Sequence, residues 1–487
     1  MEVLLKIWIF FVNNILTQPA YFIGFIVLIG YILLKKPWYE CLAGFLKATV
    51  GYLILTVGSG GLVSNFRPIL VGLKDKFNLQ ATVIDPYYGQ NAVQSAMEHI
   101  GKSFSQVMLL LLIAFIFNIL LVAFRKITKI RSIFTTGNVQ IQQAATAFWL
   151  IFFCFPELGD TPILIVMSLL LGLYWAVGSN LTVEITQDLT EGGGFCVAHQ
   201  QIFALKIFST IAEKIKGKGE GKKLEDIKLP GFLSIFNENM VSTAILMLLF
   251  FGVILITLGK DYLIENKFMK EGQSFFFYTL TTALYFAVYL AILQLGVRTF
   301  VTELTQSFQG ISTRLLPGAV PGIDCAATFG FGSANAVTIG LLFGAAGQFL
   351  AIITLILLKS PVVIIAGFIP VFFDNATIAV FANNRGGVKA ACILPFISGL
   401  CQVFGSAFIS YWVGLAAYGG YLGMWDWAVL WPGFTIIMKY LGYIGIGIVA
   451  LILIAIPQIQ YLKNKDTYFL ITDDYEAYKE KMKSKIN

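Results

Sequence analysis

Long apolar runs separated by short polar or basic connectors dominate the chain. A membrane span needs about 20 apolar residues. Runs of that order fall near 17–34, 40–58, 104–124, 162–178, 239–258, 276–297, 336–358, 390–416 and 434–457. The second run closes on Gly58-Ser59-Gly60-Gly61, which predicts a helix end there, and residues 62–103 are too polar to span alone. A half-polar stretch, TTGNVQIQQAATAF, leads into WLIFFCF and stops at the acidic turn PELGD. Segments 317–335 and 361–384 are apolar but broken by Gly and Pro. The pattern predicts an all-α polytopic membrane protein of about eleven transmembrane helices with re-entrant pieces.

One break stands out. Residues 191–201 read EGGGFCVAHQQ, three glycines running into one of only two histidines. Each glycine costs a helix about 1 kcal/mol relative to Ala. Irregular backbone at membrane depth is tolerated only where it is buried in protein or lines a cavity. His199 and Gln200 therefore lie either on a binding loop or on a cytoplasmic turn into the next helix.

Charge orients this pattern. Basic residues cluster at 35–39, 125–132, 206–230 and in the tail from Lys463. The positive-inside rule puts these in the cytoplasm, with the N-terminus outside and the C-terminus inside, so the number of spans is odd. Of 487 residues, 57% are hydrophobic and 13% charged, against about 25% charged in soluble domains. The net charge of +7 sits in the connectors, which suits anionic lipid and not nucleic acid. Cys41, Cys154, Cys196, Cys325, Cys392 and Cys401 form no CxxC pair and read as packing residues. With only His99 and His199, far apart in sequence, no metal site is expected. No cofactor is expected either.

The two halves echo each other. After Gly58 the chain reads GSGGLVSNFRPIL and reaches Ile84-Asp85; after Gly296 it reads GVRTFVTELTQSF and reaches Ile323-Asp324. Asn91-Ala92-Val93 matches Asn335-Ala336-Val337, and IRSIFTTGN, ending at Asn138, matches GFIPVFFDN, ending at Asn375. This predicts one integral membrane domain over 1–487, with repeats at about 17–205 and 239–418, a final span at 434–457 and a tail at 463–487. About five spans per repeat would invert the second copy, an arrangement that places substrate at mid-membrane on discontinuous helices.

Polar residues inside such a membrane domain are functional candidates. Asp324 sits in PGAVPGIDCAATFGFG and must be paired, protonated or facing water. It either accepts from substrate hydroxyls or caps broken-helix N–H groups. Asn138 and Gln142 share one helical face, suited to sugar hydroxyls or to helix–helix contact. Tyr87 and Tyr88 either stack on a ligand ring or belong to an interfacial belt. Asp374 and Asn375 read as structural. No Walker A motif, nucleophilic triad or metal-ligand spacing is present in the sequence.

The stretches GSGGL, IRSIFTTGN, GGGFCVAHQQ, LPGFLSIFNENMVSTAI, GVRTFVTELTQSFQGISTRLLPGAVPGIDCAA and GFIPVFFDNATIAVFANNRGG resemble the ascorbate-type EIIC permease of the bacterial phosphoenolpyruvate-dependent phosphotransferase system. The resemblance implies eleven spans, a homodimer and an elevator-type motion of a core domain against a scaffold (V-motif) domain. It implies import of L-ascorbate or a related compound with phosphorylation by a separate cytosolic EIIB, fed by EIIA, HPr and enzyme I. No phosphorylated residue is expected on this subunit. Carried over residue by residue, the family's substrate contacts fall on Pro86, Tyr87, Asn138, Gln142, His199, Gln200 and Asp324. Pro86 stands where the family has Thr and Asn138 where it has His, which opens the choice of sugar. An uncoupled or ion-coupled transporter of a sugar acid or polyol is the alternative.

Overall fold

The computed structural model describes residues 19–77, 80–216, 222–227, 231–232, 235, 239–314, 316, 318–367 and 369–486. The apolar stretch before Pro19 and much of the basic connector 217–238, including Lys218, lie outside the described residues. In the first half, α1 spans Pro19–Leu33, α2 Trp38–Phe77, β1 Gln80–Ile84, α3 Pro86–His99, α4 Ser105–Ala123, β2 Ser132–Phe134, α5 Gly137–Cys154, α6 Asp160–Thr190, β3 Cys196–Val197 and α7 Ile202–Lys216. In the second, α8 spans Asn239–Leu258, α9 Phe275–Arg314, β4 Val320–Ile323, α10 Ala334–Leu357, β5 Val362–Ala366, α11 Asn375–Trp412, β6 Gly420–Tyr421 and α12 Trp431–Lys463. A tail helix, α13, covers Tyr475–Ile486.

Among the described residues, five helices are long and apolar enough to cross a membrane: Trp38–Gly58, Asp160–Thr190, Asn335–Leu357, Pro370–Trp412 and Asp426–Lys463. Shorter apolar helices at Ile23–Leu33, Leu109–Ala123 and Phe275–Tyr289 accompany them. Two elements run further than their apolar patterns. Helices α2 and α9 are each 40 residues long, about 60 Å at 1.5 Å per residue. The cluster at Gly58–Gly61 does not end α2, because the absence of side chains there lets α9 come close. A Cβ on Gly61 would overlap the Tyr289 ring, and one on Gly51 would press on the Phe300 backbone. Close helix approach through small residues favours such packing in a bilayer.

Each broken stretch contains a short strand. The strands form two three-stranded parallel sheets, ordered β5-β1-β6 and β2-β4-β3. Val83 faces Ile365 across β1 and β5, while Phe134 faces Gly322 across β2 and β4. Every pairing joins a strand of one half to a strand of the other. Backbone groups in an apolar interior need partners, and neither half supplies them alone. Glycines with φ of +71° at Gly387 and +58° at Gly442 break α11 and α12 internally.

The chain after α12 folds back onto the sheet β2-β4-β3. Arg131, fully buried, precedes β2. Its Nε donates to Asn180 Oδ1 at 3.1 Å and its Nη1 to the Tyr468 carbonyl at 2.6 Å. Its guanidinium lies 3.6 Å from the Tyr468 ring centre. Ile471 joins Val183, Cys196 and Val320 in one apolar cluster. Arg131→Met removes these bonds and leaves the Tyr468 carbonyl and Asn180 short of a donor. The expected loss is about 1–3 kcal/mol, read as a lower melting temperature in detergent; an unchanged midpoint would mean the tail is not held by Arg131.

Candidate functional site

Parallel strands point their C-terminal ends the same way, so the sheet β2-β4-β3 delivers three chain segments to one place. Asn138 lies four residues beyond β2, His199 two beyond β3 and Asp324 directly after β4. Cross-links tie the segments together just past the strands. Thr136 Oγ1 donates to the Ala198 carbonyl at 2.6 Å, and the Ala198 N–H to the Ile323 carbonyl at 2.8 Å. The other sheet contributes from β1. There Asp85 caps α3 by accepting from the Tyr87 N–H at 2.9 Å, just as Asp324 accepts from the Ala326 N–H at 2.8 Å. The Tyr87 hydroxyl meets the Asn138 side chain.

Buried amides form a relay behind these residues. Trp175 Nε1 donates to Gln143 Oε1 at 2.5 Å, Gln143 Nε2 to Gln200 Oε1 at 2.9 Å, and Gln200 Nε2 to Gln142 Oε1 at 2.9 Å. Each bond sets the orientation of the next amide, so the relay ends on Gln142, whose Oε1 accepts from Gln200 and whose Nε2 is left as the donor end. A second chain fixes His199. The Phe373 carbonyl accepts from Gln201 Nε2 at 3.2 Å, which turns Gln201 Oε1 toward His199 Nδ1 at 2.7 Å. The proton of a neutral His199 then sits on Nδ1. In that tautomer His199 Nε2 is an acceptor, and it lies 3.8 Å from Asp324 Oδ2. The imidazole lies nearly parallel to the Phe373 ring, at 6.1 Å.

His199, Asp324, Gln142 and Asn138 are all buried, and Asn138 Oδ1 has no hydrogen-bond partner. Asn138 Oδ1 is thus an acceptor without a partner among the described residues, and His199 Nε2 and Asp324 Oδ2 face each other beyond direct hydrogen-bond distance. Leaving buried acceptors unmade costs about 1–3 kcal/mol each. A ligand rich in O–H groups relieves that cost; an apolar one does not.

Of the residues read from sequence, Tyr87, Asn138, Gln142, His199, Gln200 and Asp324 come together. Pro86 is buried as the first residue of α3, where its fixed φ suits the helix start; it offers a carbonyl but no N–H. Asp374 and Asn375 belong to a separate network. Asp374 Oδ2 accepts from Gln402 Nε2 at 2.6 Å and from the Trp425 N–H at 2.7 Å. Sequence reading passed over Trp175, Gln201 and Asp426. Gln201 adjoins the His-Gln pair and was within reach of a closer reading; Trp175 and Asp426 carry no local signal.

Two comparisons bear on this geometry. Residues 14–428 match the family model for the sugar-specific permease component of the phosphotransferase system, EIIC-GAT. The chain belongs to this permease family. It is also 33% identical, over 434 residues, to the ascorbate-specific phosphotransferase EIIC component of Mycoplasma pneumoniae. That match takes in 81% of this chain and 65% of the relative's length. The apolar helices accord with a polytopic membrane permease, and the candidate site lies among its broken segments.

The permease's His-Gln loop is held from outside by Asp426. Its Oδ2 accepts from Tyr174 Oη at 2.7 Å and the Phe203 N–H at 2.9 Å, and its Oδ1 from the Ala204 N–H at 3.0 Å. These are free N–H groups at the start of α7, directly after Gln201. Asp426→Asn turns an NH2 toward a backbone N–H. The variant is expected to lose about 1–3 kcal/mol in apo stability, measured by thermal unfolding. Wild-type stability would remove Asp426 as the support of this loop.

Proposed function

We propose that this chain is the EIIC subunit that carries L-ascorbate or a related polyhydroxyl compound across the bacterial cell membrane, with phosphorylation by a separate cytosolic EIIB. The observation that carries the reading is the facing pair His199 Nε2 and Asp324 Oδ2, beside the unpartnered Asn138 Oδ1 and the Gln142 amide held by Gln200. Such a set grips a molecule that presents several hydroxyls in fixed directions. The relative's ascorbate specificity suggests the substrate class. Asn138 contributes an amide that does not become cationic, so the choice between ascorbate and a neutral polyol rests on hydroxyl placement. EIIA, HPr and enzyme I would supply the phosphate to EIIB.

The halves are inverted repeats at about 17–205 and 239–418 in this reading. Their matched order of 40-residue helix, strand and Asp-capped turn supports it, as does the exchange of strands. Helices α1, α2, α8 and α9 pack on one another and form the scaffold, through which two copies would pair as a homodimer. The remaining helices form a core that moves past it as an elevator and carries His199 and Asp324 from one side to the other. The basic connectors and tail face the cytoplasm and the N-terminus lies outside, giving about eleven spans.

Purified protein is to be melted against L-ascorbate, other sugar acids and polyols, because a ligand of the folded state raises stability by RT ln(1 + [L]/Kd). The compound that stabilises is then offered to vesicles holding the permease with phosphorylated EIIB inside. Accumulation of the sugar phosphate, dependent on EIIB, is expected. Entry of unmodified sugar at the same rate without EIIB would instead support an uncoupled transporter.

Asp324→Asn tests the site itself. An asparagine oxygen still caps Ala326, while its NH2 faces the His199 Nε2 acceptor and satisfies it internally. Ligand stabilisation is expected to vanish while apo melting stays at or above the wild-type value. Normal ligand stabilisation in the variant would exclude Asp324 from sugar binding.

A further inference from the structure

The sequence separates the two histidines and scatters the cysteines, yet the fold brings one of each to a single carboxylate. His199, Asp324 and Cys325 each offer a ligand atom, and these atoms lie within 4.8 Å of one another, all buried. We propose that His199 Nε2, Asp324 Oδ2 and Cys325 Sγ form a three-ligand site for a thiophilic divalent transition metal of the zinc class.

Four features argue for it. The His199 tautomer is set by its Nδ1 bond to Gln201 Oε1, which is itself anchored on the Phe373 carbonyl. Metal-ligating histidines characteristically donate their second N–H to such an oxygen. Asp324 spends Oδ1 on the Ala326 N–H, leaving Oδ2 free and 3.8 Å from Nε2. Two lone pairs facing each other in a buried site repel unless something positive or hydrogen-donating lies between them. The Cys325 thiol lies 4.0 Å from the Phe373 carbonyl and beside the Thr377 and Gln201 side chains. Coordination by a metal deprotonates a thiol outright and replaces these contacts with a metal–thiolate bond. Nitrogen, oxygen and sulfur ligands with a fourth position open match zinc's tetrahedral preference.

An ion there takes the place of a hydroxyl between His199 and Asp324, so zinc-class ions exclude the sugar. That last step rests on the proposed sugar site; metal binding itself does not.

Binding is measured without sugar, on tag-free protein in which the half-buried Cys392 and Cys401 are serine. Zn2+ should bind in calorimetry, and Co2+ should give a near-ultraviolet thiolate-to-cobalt charge-transfer band. Cys325→Ser should abolish the band and weaken Zn2+ at least tenfold. Gln201→Leu, which frees the imidazole, should weaken Zn2+ by about 10–100-fold. The apo melting temperature of each variant shows whether it is folded. Absence of the band in the parent protein, or equal Zn2+ affinity in a folded Cys325→Ser variant, overturns the proposal.

Discussion

A helix broken inside a membrane leaves backbone donors and acceptors that water cannot reach. This constraint shapes the whole molecule. The breaks at 80–84, 132–134, 196–197, 320–323, 362–366 and 420–421 become strands, and each strand finds its partner in the opposite half of the chain. An orphaned backbone group in such surroundings costs several kcal/mol, so the halves hold each other by necessity. The same pairing makes β2, β4 and β3 parallel, which puts Asn138, Asp324 and His199 at one end of one sheet. Ligand sites outside the carboxyl ends of parallel strands are familiar in water-soluble α/β proteins; a shared geometric cause operates here.

The candidate site is held rigid by a hydrogen-bond network of buried polar groups. The relay from Trp175 through Gln143 and Gln200 orients Gln142, and the Phe373 carbonyl orients Gln201 and through it His199. Asp426 caps α7 from 222 residues away in sequence. Low surrounding polarity strengthens each of these bonds and raises the cost of breaking any of them. In the proposed elevator the site travels, and its hydrogen-bonding directions have to survive the movement.

Glycine shows how one residue type serves opposite ends. Along α2, the glycines near 51 and 61 stay helical and let α9 approach. At Gly192 and Gly194, φ is +89° and +72°, a region side chains rarely occupy, and the helix stops. Local composition does not separate these cases. The cluster at 58–61 lies where two long helices touch, while 192–194 follows the end of α6, where the chain must turn toward the sheet.

Sequence alone determined the solvent, since the apolar runs are too long and too many for a water-soluble core. It also marked several of the breaks, though not the continuous helix through Gly58–Gly61, showed that the halves echo each other, and singled out six polar positions that converge: Tyr87, Asn138, Gln142, His199, Gln200 and Asp324. The repeated Ile-Asp was legible because each half needs the same carboxylate to cap the turn after its strand. Tertiary structure decided the strand pairing, the length of α2 and α9, and the hydrogen-bond partners of Trp175, Gln201 and Asp426. Those depend on contacts between separate segments, and a hydrogen bond such as those of Gln201 to Phe373 or Asp426 to Tyr174 leaves no periodic trace in sequence.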